Sequence, residues 1–154
     1  MSFESVPIRP CRILHVDDNA SDSRLLRDAL SGLTYVTFEH AFTFEGAVKV
    51  LRSQNSDRRI NLIILDWYLH PIDGIEMLSV LKSDEALRPI PVIVLAGSAN
   101  PSIVRVAYDA HASCVLIKPL DSEGVLSLAA EIDRFWLWIV QLPFSPGSAH
   151  LNPE

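Results

Sequence analysis

Three aspartates and one lysine stand where their side chains could together perform metal or phosphoryl chemistry. Asp17 and Asp18 follow one short apolar run, Asp66 follows another, and Lys118 follows a third. If these runs are strands of one parallel sheet, the four side chains converge at the end where such folds bind ligands. Carboxylates so close together repel each other, and a bound divalent cation is the usual remedy. Oxygen ligands without paired His or Cys favour Mg²⁺ over zinc, and Lys118 would balance a phosphoryl group.

Five short apolar runs are the candidate strands that must position these residues. The runs are 12–16, 35–41, 62–65, 92–96 and 114–117. Their shortness and their β-branched content favour strands over helices. The run 35–41 alternates in polarity, which predicts an edge strand with one wet face. Three of the others are apolar throughout, which predicts burial on both faces of a parallel sheet.

Amphipathic stretches after these runs predict five helices. Asn100-Pro101, for example, combines a capping residue with proline at the first helical position. The last stretch carries apolar residues at α-helical spacing from Val125 to Ile139. Strands and helices therefore alternate as (βα)₅. We predict an α/β fold with a flavodoxin-like open parallel five-stranded sheet, strand order 2-1-3-4-5, and helices on both faces.

The composition is that of one folded domain. The chain has 154 residues, of which 49% are hydrophobic, and domains most often have roughly 100–150 residues. We predict an N-terminal extension over 1–10, the domain over 11–142 and a tail over 143–154. The net charge of −6 argues against nucleic acid as a partner. No signal peptide or membrane span is evident, and the two cysteines do not suggest a disulfide framework, so we expect a cytoplasmic protein without membrane contact.

The residues at the strand ends resemble a known family. Four short motifs, in this order across the five βα units, are similar to those of the receiver domain of two-component response regulators: Val16-Asp17-Asp18, Leu65-Asp66, Asp73-Gly74 and Lys118-Pro119. The resemblance covers about residues 10–142. Each motif alone is weak, but four of them in the right order at the right strand ends make a specific pattern.

This resemblance implies a phosphoryl-accepting site. Asp66 would be the phosphoacceptor for a kinase phosphohistidine, and Lys118 would contact the phosphoryl group. Mg²⁺ would be held by Asp17, Asp18, Asp66 and the backbone carbonyl of Tyr68. The protein would not be an enzyme, beyond accepting the phosphoryl group and losing it again by its own chemistry.

The end of the last helix is similar to a narrower group within the family. Residues 135–143 resemble the close of the single-domain regulators that are paired with cyanobacterial and bacterial phytochrome kinases. The likeness implies a phytochrome-type sensor histidine kinase as partner. It also implies a regulator that has no output domain and signals through protein contacts.

Three positions depart from the family pattern. The residue at the end of the fourth strand, usually Thr or Ser, is Ala96. The aromatic residue usually found three places before the lysine is Val115, and the proline usually four places after the acceptor is replaced by His70. The acidic residues are thus present, while both side chains of the usual hydroxyl and aromatic switch are missing.

The last helix carries a wide apolar band. Phe135, Trp138 and Leu142 extend it beyond the face that one sheet could cover. One interpretation is that the C-terminal tail folds back over the band. The other, which we favour, is a homodimer with C2 symmetry formed through the fifth helix and the C-terminal tail.

Other functions compete with a phosphoaccepting regulator. A degenerate receiver could act as an unphosphorylated adaptor or dimerisation module, which Ala96 and Val115 keep open. An aspartate-nucleophile phosphatase would need a second Asp two residues after Asp66, where Tyr68 stands. A flavodoxin-like mononucleotide carrier would need a phosphate cradle in the first turn, whereas residues 17–22 are acidic.

Overall fold

Strands and helices alternate along the chain as the apolar runs predict. The computed structural model describes residues 10–32, 35–55, 57–69 and 73–143. The strands are β1 Cys11–Val16, β2 Val36–Ala41, β3 Leu62–Asp66, β4 Val92–Ala96 and β5 Cys114–Ile117. The helices are α1 Ala20–Ser31, α2 Phe44–Ser53, α3 Gly74–Ser83, α4 Pro101–Asp109 and α5 Ser122–Glu131, followed by a π-helix over Ile132–Ile139. The extension and the tail lie almost entirely outside the described residues.

The sheet has the predicted topology. All pairings are parallel and the strand order is β2-β1-β3-β4-β5. Val16 pairs with Leu65 and Asp66 pairs with Leu95, so β1, β3 and β4 end at the same level. The prediction of an edge strand over 35–41 is confirmed, because β2 lies at one edge of the sheet. The residues that follow β1, β3 and β5 therefore leave the sheet at one end.

Each face of the sheet has its own apolar core, because successive side chains of a strand point to opposite faces. The first core joins Leu14 and Ile63 to residues of α2, α3 and α4. The second core joins Ile13 and Ile64 to residues of α1 and α5. Every residue of β3 and β4 is buried, as expected for the central strands of a parallel sheet.

The polar residues before β3 suggest a solvated loop, but Asn61 is buried. Its side chain is 3% exposed. Its Oδ1 accepts a hydrogen bond from the Arg12 N–H at 2.7 Å, and its Nδ2 donates to the Pro143 carbonyl at 3.2 Å. The amide thus ties the start of β1 to the last described residue of the chain.

The apolar stripe predicted from Val125 to Ile139 packs on the second core as far as Trp136, but the prediction of an α-helix is wrong from Ile132 onward and Ile139 lies outside the core. From Ile132 onward the backbone is π-helical, and the Val140 N–H bonds to the Phe135 carbonyl five residues earlier at 2.9 Å. This wider turn shifts the phase of the side chains, and Ile139 consequently faces solvent with 61% of its surface exposed.

The structure also corrects the expectation that Leu142 extends the apolar band beyond the face that the sheet covers. It is only 8% exposed and belongs to the second core. The physical reason is that the helix stops at Ile139. Val140 adopts extended backbone angles (φ −72°, ψ 136°), which direct the following residues back toward the sheet.

The described part of the chain contains neither a disulfide nor a helix that could span a bilayer. Cys11 and Cys114 are free thiols on β1 and β5, which are separated by β3 and β4. Burial raises the pKa of the Cys11 thiol to about 12, so it stays protonated. None of the described helices combines the length and apolar character that crossing a membrane would require.

His111 holds an uncommon backbone conformation in the turn after α4. Its φ is 72°, the left-handed region that favours glycine. We expect His111→Gly to raise the free energy of unfolding by about 0.5–1 kcal/mol, because the left-handed strain exceeds the entropy glycine adds to the unfolded state. Urea unfolding measures this, with His111→Ala as a control that keeps the Cβ atom. If glycine proved no more stable than alanine, backbone strain at this residue would be excluded.

Candidate functional site

The strand ends bring three carboxylates together as the sequence predicts. Asp17 follows β1, Asp18 comes next, and Asp66 is the last residue of β3. Each offers one oxygen atom, and these atoms lie within 4.8 Å of one another. Asp17 is fully buried and Asp66 is 6% exposed, while Asp18 is exposed. This arrangement presents several oxygen ligands on one open side, as a hard divalent cation requires.

Lys118 lies among these carboxylates, also as predicted. Its Nζ is 3.1 Å from Asp17 Oδ2 and 3.0 Å from Asp66 Oδ2. Its backbone N–H donates to the Ala96 carbonyl at 2.7 Å, which extends the β4–β5 pairing by one residue. The lysine is therefore fixed at its backbone by the sheet, and its ammonium group joins the ends of β1 and β3.

A further aspartate, which the sequence did not single out, completes this ion cluster. Asp22, in the first turn of α1, places Oδ2 2.9 Å from Lys118 Nζ. A signal for it was present, because Cα–Cβ bonds in a helix tilt toward its N-terminus. A first-turn aspartate of a helix that starts beside the acidic pocket therefore points back toward that pocket.

Two members of this cluster, Asp66 and Lys118, have pKa values raised above their ordinary values. Burial raises the pKa of Asp66 above its ordinary value, the hydrogen bond from Lys118 opposes this rise, and the nearby Asp17 charge adds to it. Burial alone would lower the pKa of Lys118, but the hydrogen bonds that it donates to Asp22, Asp66 and Asp17 outweigh this and raise that pKa. Lys118 is thus charged at neutral pH and compensates part of the negative charge around it.

Backbone groups hold the other oxygen of both buried carboxylates. The Asn19 N–H donates to Asp17 Oδ1 at 2.8 Å, and the Tyr68 N–H donates to Asp66 Oδ1 at 3.1 Å. Each carboxylate is therefore fixed on one side by the loop that follows its own strand and on the other by Lys118. The Tyr68 side chain is half-exposed at the rim of the site.

Two backbone hydrogen bonds of Trp67 fix the residue directly after Asp66. The Trp67 N–H donates to the Leu95 carbonyl at 2.9 Å, and its own carbonyl accepts from the Gly74 N–H at 2.9 Å. A Cβ atom at Gly74 would lie 3.0–3.1 Å from atoms of Trp67. A larger residue here would require Trp67 or the start of α3 to shift by a few tenths of an ångström, which gives the Asp73-Gly74 motif a structural role.

Two histidines, one on β1 and one on β2, lie next to Asp17. His15 is buried, as its position inside a strand predicts, with Nδ1 2.9 Å from Ser23 Oγ and Nε2 3.6 Å from Asp17 Oδ2. Burial lowers the pKa of His15 to about 3, so the ring is neutral. His40 Nε2 donates to the Asp17 carbonyl at 2.7 Å. Neither contact could be inferred from the sequence, because the partners come from β1, α1 and β2.

Two of the three residues that depart from the family pattern, Ala96 and Val115, have apolar side chains that offer no polar group to the site. Ala96 is fully buried in the first core, and Val115 packs against that core. Ser98, two residues beyond Ala96, is exposed. His70 lies outside the described residues.

Comparison with known proteins assigns the family. Residues 13–130 match the response regulator receiver domain. The chain belongs to this family. A receiver is a phosphoacceptor rather than an enzyme, which decides against the phosphatase and mononucleotide-carrier alternatives.

Relatives of this receiver cover almost its whole length. Response regulator Rcp1 of Synechocystis sp. is 36% identical over 148 residues, which are 93% of this chain and 99% of Rcp1. The probable methanogenesis regulatory protein FilR2 of Methanothrix harundinacea is 35% identical over 131 residues, 83% of this chain and 84% of FilR2.

Two solved structures with more than 30% identity have the same fold. The Mn²⁺-bound form of Rcp1 has a TM-score of 0.77 at 34% identity and covers 87% of this chain and 99% of its own. The phosphorylated cyanobacterial phytochrome response regulator RcpA has a TM-score of 0.80 at 33% identity, with the same coverage of 87% and 99%. The acidic site of Asp17, Asp18 and Asp66 in this receiver is accordingly a site for a divalent cation.

Divalent cations should therefore stabilise this receiver. A cation at ten times its dissociation constant should raise the free energy of unfolding by about 1.4 kcal/mol, because it binds only the folded chain. Asp18→Ala should lose most of this gain, whereas Asp28→Ala, on the exposed surface of α1, should keep it. Thermal or urea unfolding with and without the cation measures the difference. An equal gain in Asp18→Ala and in the parent would contradict the site.

Proposed function

We propose that this protein is a cytoplasmic response regulator that accepts a phosphoryl group on Asp66 from a phytochrome-type histidine kinase. The observation that carries the proposal is the position of Asp66, beside two further carboxylates and 3.0 Å from a charged lysine. The partner is inferred from RcpA, which is a phytochrome response regulator. The likeness to Rcp1 over 93% of this chain supports the same inference.

Asp66 supplies the nucleophile in this proposal. One of its carboxylate oxygens attacks the phosphorus of the kinase phosphohistidine, and the new O–P bond forms as the N–P bond breaks. The imidazole takes up a proton and leaves as the neutral ring. The Tyr68 N–H, 3.1 Å from Oδ1, orients the carboxylate for this attack. The ammonium group of Lys118 offsets charge on the transferred group, which is the main requirement of phosphoryl transfer.

Mg²⁺ is the divalent cation that we propose for the site. The donor set fits, because the three side chains that could ligate an ion all offer carboxylate oxygen atoms, and the charged Lys118 cannot act as a ligand. Asp17, Asp18, Asp66 and the backbone carbonyl of Tyr68 would hold the ion, with water completing its shell. When bound, Mg²⁺ neutralises negative charge on the carboxylates and on the phosphoryl oxygens.

Phosphoryl label from a small acyl phosphate should appear on the parent protein and be absent from Asp66→Asn. The asparagine keeps the shape of the side chain and removes the nucleophilic oxygen. Radiolabel transfer followed by peptide mapping measures this, and Asp28→Asn serves as a control that changes the same charge away from the site. Label that persists in Asp66→Asn would assign the phosphoacceptor elsewhere.

The same labelling experiment distinguishes the phosphoacceptor function from the second candidate function, that of an adaptor. A degenerate receiver that works as an unphosphorylated adaptor is favoured by Ala96 and Val115, which supply neither the hydroxyl nor the aromatic ring of the usual switch. If a folded parent took up no label from either an acyl phosphate or a histidine kinase, the adaptor function would replace the phosphoacceptor.

We further propose that the protein forms a C2 homodimer through the π-helix. Phe135, Trp138 and Ile139 remain 49%, 43% and 61% exposed, which is unusual for large apolar side chains on one short helix. Trp138 is also held in place, because its Nε1–H donates to the Tyr35 hydroxyl at 3.0 Å and that hydroxyl donates to Asp133. A fixed aromatic surface loses little side-chain entropy when a second copy covers it.

Phe135→Asp combined with Ile139→Asp should give a folded monomer. Burial of these two side chains contributes about 1.5–3 kcal/mol each to dimerisation before the cost of association. An aspartate in the same place would make its burial in the interface unfavourable. Trp138 is left intact because it anchors the helix to Tyr35. Sedimentation measures the oligomeric state, with Val80→Asp, an exposed position on α3 at the opposite face of the sheet, as the control. A monomeric parent would contradict the dimer.

A further inference from the structure

Three carboxylates on three different elements surround the ammonium group of Lys118. Asp17 follows β1, Asp66 ends β3, and Asp22 lies in the first turn of α1. The distance from Lys118 Nζ to Asp22 Oδ2 is 2.9 Å, the shortest of the three. An ammonium group has three N–H donors, so these carboxylates together satisfy all of them.

Asp22 differs from the other two because it is not one of the candidate cation ligands. Asp17 and Asp66 belong both to the cation site and to the ion cluster around Lys118. A divalent cation shares the charge of these two carboxylates and repels the ammonium group nearby. Asp22 is then the partner of Lys118 that keeps its full negative charge.

We propose that Asp22 is a positioning residue that holds the ammonium group of Lys118 beside Asp66 while a divalent cation and a phosphoryl group occupy the site. This inference rests on the proposed phosphoacceptor function of Asp66. The Lys118 side chain is 23% exposed and has a flexible four-carbon stem. Without Asp22, repulsion by the cation would direct that ammonium group toward solvent, away from the phosphoryl oxygens.

Both partners of this contact are held by independent local structure. The Asn19 side chain caps α1 by accepting hydrogen bonds from the N–H groups of Ser21 and Asp22 at 3.0 and 3.1 Å, which fixes the first turn. On the other side, Pro119 follows Lys118 and packs tightly against α5. A Cβ atom at Gly124 would lie 2.6 Å from Pro119 Cβ. The contact therefore joins two rigid backbones through one long side chain.

The alternative is that Asp22 competes with the phosphoryl group for the ammonium group of Lys118 and draws this group away. The two roles predict opposite signs when the Asp22 charge is removed. A positioning residue makes phosphoryl binding weaker on substitution, whereas a competitor makes it tighter. The geometry favours positioning, since the ammonium group contacts Asp66 and Asp22 at once and does not choose between them.

The test is the affinity for beryllofluoride, a phosphoryl mimic, at saturating Mg²⁺. Asp22→Asn should weaken binding about fivefold, the effect expected of a half-exposed charged contact. Asp22→Glu should restore most of the affinity. In a Lys118→Met background the Asp22→Asn substitution should change binding less than about twofold, because the residue through which it acts is gone. Asp28→Asn, the same charge change elsewhere on α1, should leave the affinity unchanged.

Unchanged or tighter binding by Asp22→Asn would overturn the positioning role. An equal loss in the parent and in the Lys118→Met background would also overturn it, since the effect would then not pass through the lysine. Failure of the proposed function gives a different result, in which the parent itself binds no beryllofluoride or Asp66→Asn binds it as well as the parent. Urea unfolding of each variant confirms that the proteins compared are folded.

Discussion

The ammonium group of Lys118, surrounded by the carboxylates of Asp17, Asp22 and Asp66, is the interaction on which the rest of the site depends. Asp17 is fully buried, and an unpaired buried carboxylate would cost several kcal/mol. The Lys118 ammonium group pairs with one oxygen of this carboxylate, and the backbone N–H of Asn19 donates a hydrogen bond to the other. The pairing of β1, β3, β4 and β5 brings these groups together, so the sheet topology and the ion cluster require each other.

Much of the fold and most of the acidic site could be predicted from the sequence. Short apolar runs indicated the strands, and the parallel topology then required Asp17, Asp66 and Lys118 to meet at one end of the sheet. The prediction succeeded because the period of burial and the position of a residue at a strand end are both local properties. Neither depends on details of side-chain packing.

The contacts that could not be predicted all depend on tertiary packing. Asp22 reaches Lys118 across the gap between α1 and β5, and His15 meets Ser23 between β1 and α1. Ile139 was misplaced because the change from α-helix to π-helix shifts the phase of the side chains, and no residue in the sequence marks that change. These features arise where two elements meet, which a linear pattern does not record.

The absence of a hydroxyl at Ala96 and of a ring at Val115 limits how the site can affect the surface. A ligand shifts a conformational equilibrium only through its different interactions with the two states. Ala96 has no donor for a phosphoryl oxygen, and Val115 is too small to exchange between two packed positions. Two polar contacts that do link the site to neighbouring elements run from Lys118 to Asp22 on α1 and from the Asp17 carbonyl to His40 on β2.

The most direct test of this account is the stability of Lys118→Met, measured by urea unfolding with and without a divalent cation. The methionine keeps the apolar stem and removes only the charge. Without the cation we predict a loss of about 1–3 kcal/mol, because the carboxylates lose their common counter-charge. With a saturating cation the loss should shrink, since the ion supplies positive charge in its place. An equal loss under both conditions, or the same loss in Lys49→Met on the exposed face of α2, would contradict the account.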